Sequence, residues 1–261
     1  MIKLVATDLD GTLVRDGYHT LNPRVNEVII ELKKKGIAFV AASGRQYPSM
    51  RNLFRDVKDD VIFVAENGGY VVCRDFELDE HHMDKELALQ LMDDIRGLED
   101  CFLTVSVKDK LYVENPDDDF LDLLINGYKN EVAVVDRIRD LDLGIIKISA
   151  YRKGGIDDIA KKMIPRWEDK LRCNIAGGRW LDFMDKTVDK GEAIAKIQKI
   201  LGISIEETIV FGDNYNDLGM FKRAKQSYAV ANAREDVKAA ASHLTDTNIN
   251  DGVLKVLETL L

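Results

Sequence analysis

The 261-residue sequence contains only three cysteines and four prolines, and it has no long uncharged apolar segment. Cys73, Cys101 and Cys173 are far apart and odd in number, so they predict neither a disulfide framework nor a metal site. We interpret them as reduced thiols of a cytoplasmic protein. No segment approaches the ~18 apolar residues of a membrane-spanning helix. Charged Asp8 follows the first apolar residues so closely that we expect no signal peptide.

The sequence also has fewer basic than acidic residues. The 37 Lys and Arg residues face 46 Asp and Glu residues, for a formal net charge of -9. Nucleic-acid binding by bulk charge relies on a basic face, so this balance argues against it. A small basic pocket for an anionic metabolite remains compatible with it. The composition, 46% hydrophobic and 32% charged, is that of a globular protein of one large or two small domains.

Buried strands alternate with helices at both ends of the chain. The predicted strands of these parts lie at residues 2–7, 37–42, 61–65, 208–211 and 227–231. This alternation predicts an α/β fold with a Rossmann-like parallel sheet, formed by residues 1–80 and 185–261. Residues 81–184 combine helices with strands of alternating polarity. They predict an inserted α+β domain with an antiparallel sheet.

Two acids, Asp8 and Asp10, directly follow the first predicted strand, in the hexapeptide Asp-Leu-Asp-Gly-Thr-Leu at residues 8–13. The end of the strand presents both acids at its carboxyl edge, where open parallel sheets bind ligands. Gly11 permits a sharp exit from the sheet. An ordinary acidic turn is the alternative, but the hexapeptide favours a chemical role.

Further polar residues stand at other strand ends. Ser43 and Gly44 offer a hydroxyl and backbone N–H groups near a helix N-terminus, a geometry that suits an anion. Lys190 adds an ammonium, and Asp213 and Asp217 add two carboxylates. Taken singly, Ser43 and Asp213 could be helix caps and Lys190 a solvated surface charge. Their joint placement at the ends of successive strands favours one shared site.

This ordered set of motifs resembles the haloacid dehalogenase (HAD) superfamily, and within it the Cof-type phosphatases with an inserted α/β cap. The matching segments are residues 8–13, 42–45, 66–68, 189–191, 212–217, 230–233, 237–238 and 250–253. The resemblance covers the whole chain, strongly in the predicted core and only by length and texture at 81–184. It implies a HAD-like core with an inserted cap.

The resemblance also implies a Mg²⁺-dependent phosphatase. It would hydrolyse small phosphorylated, sugar phosphate-like metabolites through an aspartyl-phosphate. Asp8 would be the nucleophile, and Asp10 the general acid and then the general base. Mg²⁺ would be held by Asp8, the backbone carbonyl of Asp10 and Asp213, with Asp217 binding directly or through water.

The phosphate-binding and supporting residues follow from the same resemblance. The phosphoryl oxygens would be bound or oriented by Leu9, Ser43, Gly44, Lys190 and Asn216. The supporting residues would be Thr12, Arg45 and Asp217.

Some positions fit the family pattern loosely. Ser43 stands where Thr is common and would still supply a hydroxyl. Asp189 could pair with Lys190 or cap the following helix, and we favour the cap. Arg45 could bind substrate phosphate or form a surface ion pair. Residues 67–68 favour a turn that shapes the pocket.

The predicted cap would select the substrate. Candidate side chains for this task are Arg137, Arg139, Lys147, Arg152, Arg179 and Trp180, although most such residues are solvated surface groups. We interpret His81 and His82 as exposed hinge residues rather than metal ligands. The acids at 117–119 predict the start of a helix.

Two other functions share these features. A phosphotransferase or phosphosugar mutase would pass the phosphoryl group from Asp8 to another hydroxyl. A non-catalytic metabolite-binding regulator would keep acids at strand ends, but the full set Asp10, Ser43, Lys190 and Asp213 argues against it. The expected partner is a small-molecule phosphate ester, with no nucleic acid and no membrane, and we expect a monomer or a weak homo-oligomer.

Overall fold

The computed structural model describes residues 1–15 and 20–261. Its strands are β1 (Leu4–Asp8), β2 (Ala38–Ala42), β3 (Val61–Ala65), β4 (Tyr70–Cys73), β5 (Phe76–Glu80), β6 (Phe102–Ser106), β7 (Leu111–Val113), β8 (Val132–Val134), β9 (Lys147–Tyr151), β10 (Leu171–Ala176), β11 (Trp180–Asp185), β12 (Thr208–Gly212), β13 (Gln226–Val230) and β14 (His243–Thr245). Its α-helices are α1 (Pro23–Lys34), α2 (Tyr47–Leu53), α3 (Lys85–Arg96), α4 (Asp118–Asp122), α5 (Asp157–Trp167), α6 (Lys190–Leu201), α7 (Leu218–Phe221), α8 (Glu235–Ala240) and α9 (Gly252–Glu258). Within the described ranges, no helix combines the length and the apolar character needed to cross a membrane.

The described residues form two compact units. The first comprises Met1–Arg45, Met50–Asp79 and Asp189–Leu261, and the second comprises Gln46–Ser49 and Glu80–Val188. Each unit contains its own sheet, with eight strands in the first and six in the second.

The sheet of the first unit has the strand order β14-β13-β12-β1-β2-β3-β4-β5. From β14 to β3 the neighbouring strands run parallel, as the alternation of strands and helices predicted. All five residues of β1 are buried, which is typical of a strand covered on both faces. Because β1 lies between β12 and β2, Asp8 at its carboxyl end pairs with Ala42, and the preceding Thr7 pairs with Phe211. The loops that follow these three strands therefore meet at one edge of the sheet.

The antiparallel edge of this sheet was not predicted. The strand β4 pairs antiparallel with β3, and β5 follows at the border of the sheet. The residues of β5 are half-buried or exposed, so their sequence lacks the apolar run that marks a buried strand.

The capped N-terminus of α6 fixes the position of Lys190, the first residue of the helix. The carboxylate of Asp189 accepts hydrogen bonds from the N–H groups of Gly191 (2.7 Å) and Glu192 (3.3 Å), so it caps the helix, as favoured above. At the other end, Gly202 adopts a left-handed conformation with φ of 65°. The helix therefore begins at Lys190 and ends at Leu201.

The sheet of the second unit has the order β10-β11-β9-β6-β7-β8. Most of its pairs are antiparallel, as predicted, but β7 and β8 run parallel. A two-residue hairpin cannot join parallel strands. Here α4 intervenes between β7 and β8, so the chain returns to the same end of the sheet before β8 begins.

Candidate active site

A buried lysine joins two acids at the carboxyl edge of the first sheet. Lys190 Nζ donates hydrogen bonds to Asp8 Oδ1 (2.6 Å) and Asp217 Oδ1 (2.8 Å). Lys190 is 1% exposed and Asp217 is fully buried. Burial alone lowers the pKa of Lys190, but the charges of Asp217 and Asp8 outweigh it, so the pKa is raised and Lys190 stays protonated.

The other oxygen of Asp8 has a different environment. Asp8 Oδ2 is buried, and it has no hydrogen-bond partner within the described ranges of the chain. Burial, followed by the negative charge of Asp217, raises the pKa of Asp8 well above the ordinary carboxyl value. A buried carboxylate oxygen without a hydrogen-bond donor can interact with an electron-poor partner, such as a cation or the phosphorus atom of a phosphate ester.

Asp217 also organises the loop after β12. Its Oδ2 accepts hydrogen bonds from the backbone N–H groups of Asp213 (2.9 Å) and Asn214 (3.1 Å), while Oδ1 accepts from Lys190. Both carboxylate oxygens are thus engaged. We infer that Asp217 holds Lys190 and the loop in position.

Asp213 lies opposite the turn that follows β1. Thr12 Oγ1 donates a hydrogen bond of 3.0 Å to Asp213 Oδ1. Burial, with the nearby charge of Asp217, raises the pKa of Asp213 to about 6. Thr12, a predicted supporting residue, therefore contacts a predicted metal ligand.

The turn at Gly11 needs a glycine for two reasons. Gly11 has a φ of 83°, in the left-handed region that side chains disfavour, and a Cβ there would lie 2.7 Å from Asp213 Oδ2. Asn232 Nδ2 donates a hydrogen bond of 2.8 Å to the Gly11 carbonyl. Sequence reasoning gave Asn232 no role, although it lies in one of the family-like segments.

The oxygen ligands in this region fit a divalent cation. Asp8, Asp213 and Asp217 each offer one carboxylate oxygen, and these three atoms lie within 4.8 Å of one another. An all-oxygen set of this kind suits Mg²⁺. The bare Oδ2 of Asp8 and the raised pKa of Asp213 both indicate negative charge that a cation would stabilise. Both oxygens of Asp217 already accept hydrogen bonds, whereas Oδ2 of Asp8 has no partner among the described residues.

Asp10 is held by Arg45 through both carboxylate oxygens. Arg45 Nε lies 2.8 Å from Asp10 Oδ2, and a terminal nitrogen of Arg45 donates to Asp10 Oδ1. Ser43 Oγ lies 3.5 Å from Asp10 Oδ2. The same hydroxyl accepts a hydrogen bond of 3.2 Å from the backbone N–H of Arg45. Arg45 thus forms an ion pair with a predicted catalytic residue. The helix α2 begins only at Tyr47, so Ser43 and Gly44 lie in the preceding loop.

Asn216 is positioned by a residue that sequence reasoning treated only as a turn. Asn216 Nδ2 donates a hydrogen bond of 3.0 Å to Asn67 Oδ1, and the Asn67 side chain also packs against Gly44. Asn67 has a φ of 57°, as a turn residue can. The sequence did hold one sign that Asn67 could position Asn216: Asn67 follows β3, and other predicted site residues also follow strands of this sheet. Leu9 is fully buried, and its apolar side chain has no donor for a phosphate oxygen.

The candidates in the second unit differ in environment. Arg137, Arg139 and Arg152 form ion pairs with Asp140, Asp93 and Asp158 of the same unit. Arg179 is exposed, whereas Lys147 and Trp180 lie on the sheet.

The predicted hinge histidines contact neighbouring residues of the second unit. His81 Nδ1 lies 2.9 Å from Thr187 Oγ1, and His82 Nε2 lies 2.7 Å from Glu80 Oε1. Neither belongs to the group of acids, among the described residues, that could hold a metal ion.

Comparison with known proteins gives matches along the whole chain. A family model described as haloacid dehalogenase-like hydrolase matches residues 5–257. A relative from Escherichia coli, 5-amino-6-(5-phospho-D-ribitylamino)uracil phosphatase YbjI, is 28% identical, and the match covers 100% of this chain and 96% of the relative. A Bacillus subtilis relative, 5-amino-6-(5-phospho-D-ribitylamino)uracil phosphatase YcsE, is also 28% identical, and the match covers 98% of this chain and 94% of the relative. A crystal structure from Eubacterium rectale superposes with a TM-score of 0.90 at 35% identity, and covers 100% of this chain and 99% of that one.

Proposed function

The chain belongs to the haloacid dehalogenase-like hydrolases, among their Cof-type phosphatases, and on that premise we propose its mechanism and its class of substrates. It hydrolyses small phosphorylated metabolites with Mg²⁺, through an aspartyl-phosphate on Asp8. The observation that carries the proposal is the asymmetry of Asp8: Oδ1 is fixed by Lys190 at 2.6 Å, while Oδ2 is buried and has no partner among the described residues. A carboxylate fixed at one oxygen and bare at the other is prepared to act as a nucleophile.

The charges of the site have to accommodate a phosphate dianion next to three acids. Lys190 supplies one positive charge at the nucleophile. A bound Mg²⁺ would neutralise further charge and polarise the phosphoryl group. Asp8, the backbone carbonyl of Asp10 and Asp213 are its proposed ligands, and Asp217 keeps Lys190 and the loop in place.

Each proposed step assigns a proton to a residue of this chain. Asp8 attacks phosphorus, the bond from phosphorus to the alcohol oxygen breaks, and Asp10 donates a proton to that oxygen. Asp10 then accepts a proton from the water that hydrolyses the aspartyl-phosphate. Phosphoryl oxygens are bound by Ser43 Oγ, Lys190 Nζ and the backbone N–H groups of Leu9 and Gly44, with Asn216 as orienting group.

Asp10 cannot donate a proton while Arg45 engages both of its oxygens. The side chain of Asp10 is 53% exposed, so it has room to turn away from Arg45. We therefore assign the observed ion pair to the resting enzyme.

The proposed substrates are phosphate monoesters of small polyhydroxylated alcohols, similar to sugar phosphates. The names of the two bacterial relatives describe a phosphate carried by a ribityl chain, which supports this class. In this proposal residues 81–184 serve as the cap domain of a core formed by 1–80 and 185–261, and the enzyme acts in the cytoplasm.

A panel assay tests the function. The purified chain with Mg²⁺ is incubated with sugar phosphates, nucleotides and cofactor phosphates, and both substrate consumption and free phosphate are measured. We expect one phosphate released for each substrate consumed, with the polyol phosphates turned over fastest. A phosphorylated isomer without free phosphate would instead assign a mutase, and tight binding without turnover would assign a non-catalytic regulator.

A further inference from the structure

Two asparagines from different loops hold the turn that follows β1. Asn248, in the loop after β14, donates a hydrogen bond of 3.2 Å from Nδ2 to the Val14 carbonyl. Asn232, in the loop after β13, donates a hydrogen bond of 2.8 Å from Nδ2 to the Gly11 carbonyl. The backbone N–H of Asn248 donates to Asn232 Oδ1 at 2.9 Å, so the two residues are also joined to each other. We refer to Asn232 and Asn248 as the asparagine pair.

The turn held by the asparagine pair also has hydrogen bonds of its own. The Leu9 carbonyl accepts from the N–H groups of Thr12 (3.1 Å) and Val14 (2.8 Å). The Gly11 N–H donates to the Val14 carbonyl at 3.2 Å. The Val14 carbonyl therefore accepts both the N–H of Gly11 and the side-chain amide of Asn248. Without the amide, the position of this carbonyl would depend on the backbone of the turn alone.

The Gly11 N–H belongs to the same peptide group as the Asp10 carbonyl. A trans peptide group is planar, and its N–H and C=O bonds point in opposite directions. The hydrogen bond from Gly11 to Val14 thus fixes the direction of the Asp10 carbonyl as well. Asn232 fixes the next peptide group, through the Gly11 carbonyl. The Asp10 carbonyl is a Mg²⁺ ligand in the proposed function, so the inference rests on that function.

The chain segment that contains Asn232 also contacts the loop of a second proposed metal ligand. The N–H of Arg234, two residues after Asn232, donates to the Asp213 carbonyl at 3.4 Å. Asp213 follows β12, which lies between β13 and β1 in the sheet. The segment after β13 therefore contacts the backbone of both the Asp10 turn and the Asp213 loop.

The contact between Asn248 and Val14 is buried. Asn248 is 3% exposed and Val14 is 1% exposed. A hydrogen bond in the protein interior is electrostatically stronger than one in water. The loop that presents Asn248 is held as well: Thr245 Oγ1 donates at 2.7 Å to the Gly252 carbonyl, and a Cβ at Gly252 would lie 2.0 Å from the Asp246 carbonyl oxygen. Asn248 is therefore a fixed donor for the turn.

We propose that Asn232 and Asn248 are positioning residues, which orient the Asp10 carbonyl and so set the affinity of the chain for Mg²⁺. They act through the backbone of the turn rather than through a bond to the substrate. Groups that orient a metal ligand commonly contribute about 10- to 100-fold in metal affinity. The asparagine pair thus adds the loops after β13 and β14 to a site otherwise formed after β1 and β12.

Alanine variants of the asparagine pair test the proposal in the full chain. Gln198→Ala is the matched control, because Gln198 is a buried amide of the same unit that donates to Thr208 Oγ1 and to the Arg223 carbonyl, both at 2.8 Å. The first readout is the dissociation constant of Mg²⁺ from calorimetric titration without substrate. The others are thermal unfolding without metal and the KM for p-nitrophenyl phosphate at saturating Mg²⁺.

We expect Asn232→Ala and Asn248→Ala to weaken Mg²⁺ binding by about tenfold or more, with the KM of the ester unchanged at saturating Mg²⁺. Asn248→Ala and Gln198→Ala both remove buried hydrogen bonds, so both should unfold at a lower temperature. Gln198→Ala should nevertheless bind Mg²⁺ as the unmodified chain does. Because Asn232 is exposed, Asn232→Ala keeps the test available even if Asn248→Ala does not fold.

Unchanged Mg²⁺ affinity in the folded alanine variants of the asparagine pair would overturn the inference and leave the proposed function intact. An equal loss of affinity in Gln198→Ala would also overturn it, since the effect would then follow from destabilisation alone. Absence of Mg²⁺ binding by the unmodified chain would instead refute the proposed metal site, and the inference with it.

Discussion

The ammonium of Lys190 lies 2.6 Å from Asp8 Oδ1, although the two residues are 182 positions apart in the sequence. The contact joins the carboxyl end of β1 to the first residue of α6. Asp217 receives the same ammonium at 2.8 Å, so one cation neutralises part of the charge of two buried acids. Removal of this lysine should affect both the fold and the chemistry.

Lys190→Met leaves Asp8 and Asp217 buried without their cation. Breaking a buried ion pair from one side costs about 3–5 kcal/mol, so we expect a clearly lower unfolding temperature. With the phosphate-binding ammonium lost, we also expect kcat to fall by about a hundredfold or more. Lys196→Met is the control, because Lys196 lies on the same helix and pairs with Asp79 at the surface. Normal stability and activity in Lys190→Met would contradict the assigned role.

The raised pKa of Asp213, about 6, makes the metal-free protein sensitive to pH. The unfolded chain releases this proton near the ordinary carboxyl value, at lower pH than the folded chain. Stability is therefore highest below that value and falls as the pH rises through about 6, by an amount on the order of 2–3 kcal/mol. Burial raises the pKa of Asp8 in the same direction.

Thermal unfolding of metal-free protein at pH 5 and pH 7 checks this linkage. We expect a lower unfolding temperature at pH 7, and a larger stabilisation by added Mg²⁺ at pH 7 than at pH 5. Asp213→Asn should flatten the pH dependence and weaken the Mg²⁺ effect. Equal stabilisation by Mg²⁺ at both pH values would argue against Asp213 as a ligand.

Gly11→Ala should disturb Asp213, because its Cβ would lie 2.7 Å from Asp213 Oδ2. Gly36 is a close control: its φ of 75° is also left-handed, but a Cβ there meets nothing within 4 Å. Both alanine variants should lose about 1 kcal/mol from backbone strain. Only Gly11→Ala should raise the Mg²⁺ concentration needed for half-maximal activity, and an equal rise in Gly36→Ala would contradict this account.

Asp10→Asn separates the two proposed proton transfers. The nitrophenolate group leaves without a proton, so the variant should still form the aspartyl-phosphate from p-nitrophenyl phosphate. Hydrolysis of that intermediate loses its base and should slow by about 10²–10⁴-fold. We expect a burst of about one nitrophenol per enzyme in stopped-flow absorbance, followed by slow turnover. Slow release without a burst would show that Asp10 also acts in the first step with this ester.

Local sequence patterns predicted much of the fold. The bounds of α6 follow from its cap Asp189, its apolar spacing and the terminal Gly202, all of which are local signals. The buried strands β1, β2 and β3 show the apolar runs expected of a parallel sheet. In contrast, β10 and β14 were missed, because their residues are largely half-buried or exposed and depend on neighbouring strands for their structure.

The sequence predicted that the site residues lie at one edge of the sheet, but it did not predict which side chains pair with one another. Asp8 and Asp213 were expected at one edge because parallel strands end together there. The pairing of Asp10 with Arg45 and of Asn216 with Asn67 depends on tertiary placement, which no local pattern encodes. The roles assigned to these residues are predictions that kinetics must test.

The most direct test of the central claim is the kcat of Asp8→Asn with Mg²⁺ and p-nitrophenyl phosphate. The substitution removes the nucleophile but keeps the shape of the side chain. Since burial raises the pKa of Asp8, loss of its charge should leave the metal-free fold at least as stable. The account predicts a folded variant without detectable turnover. A folded Asp8→Asn variant that hydrolyses the ester at the rate of the unmodified enzyme would contradict it.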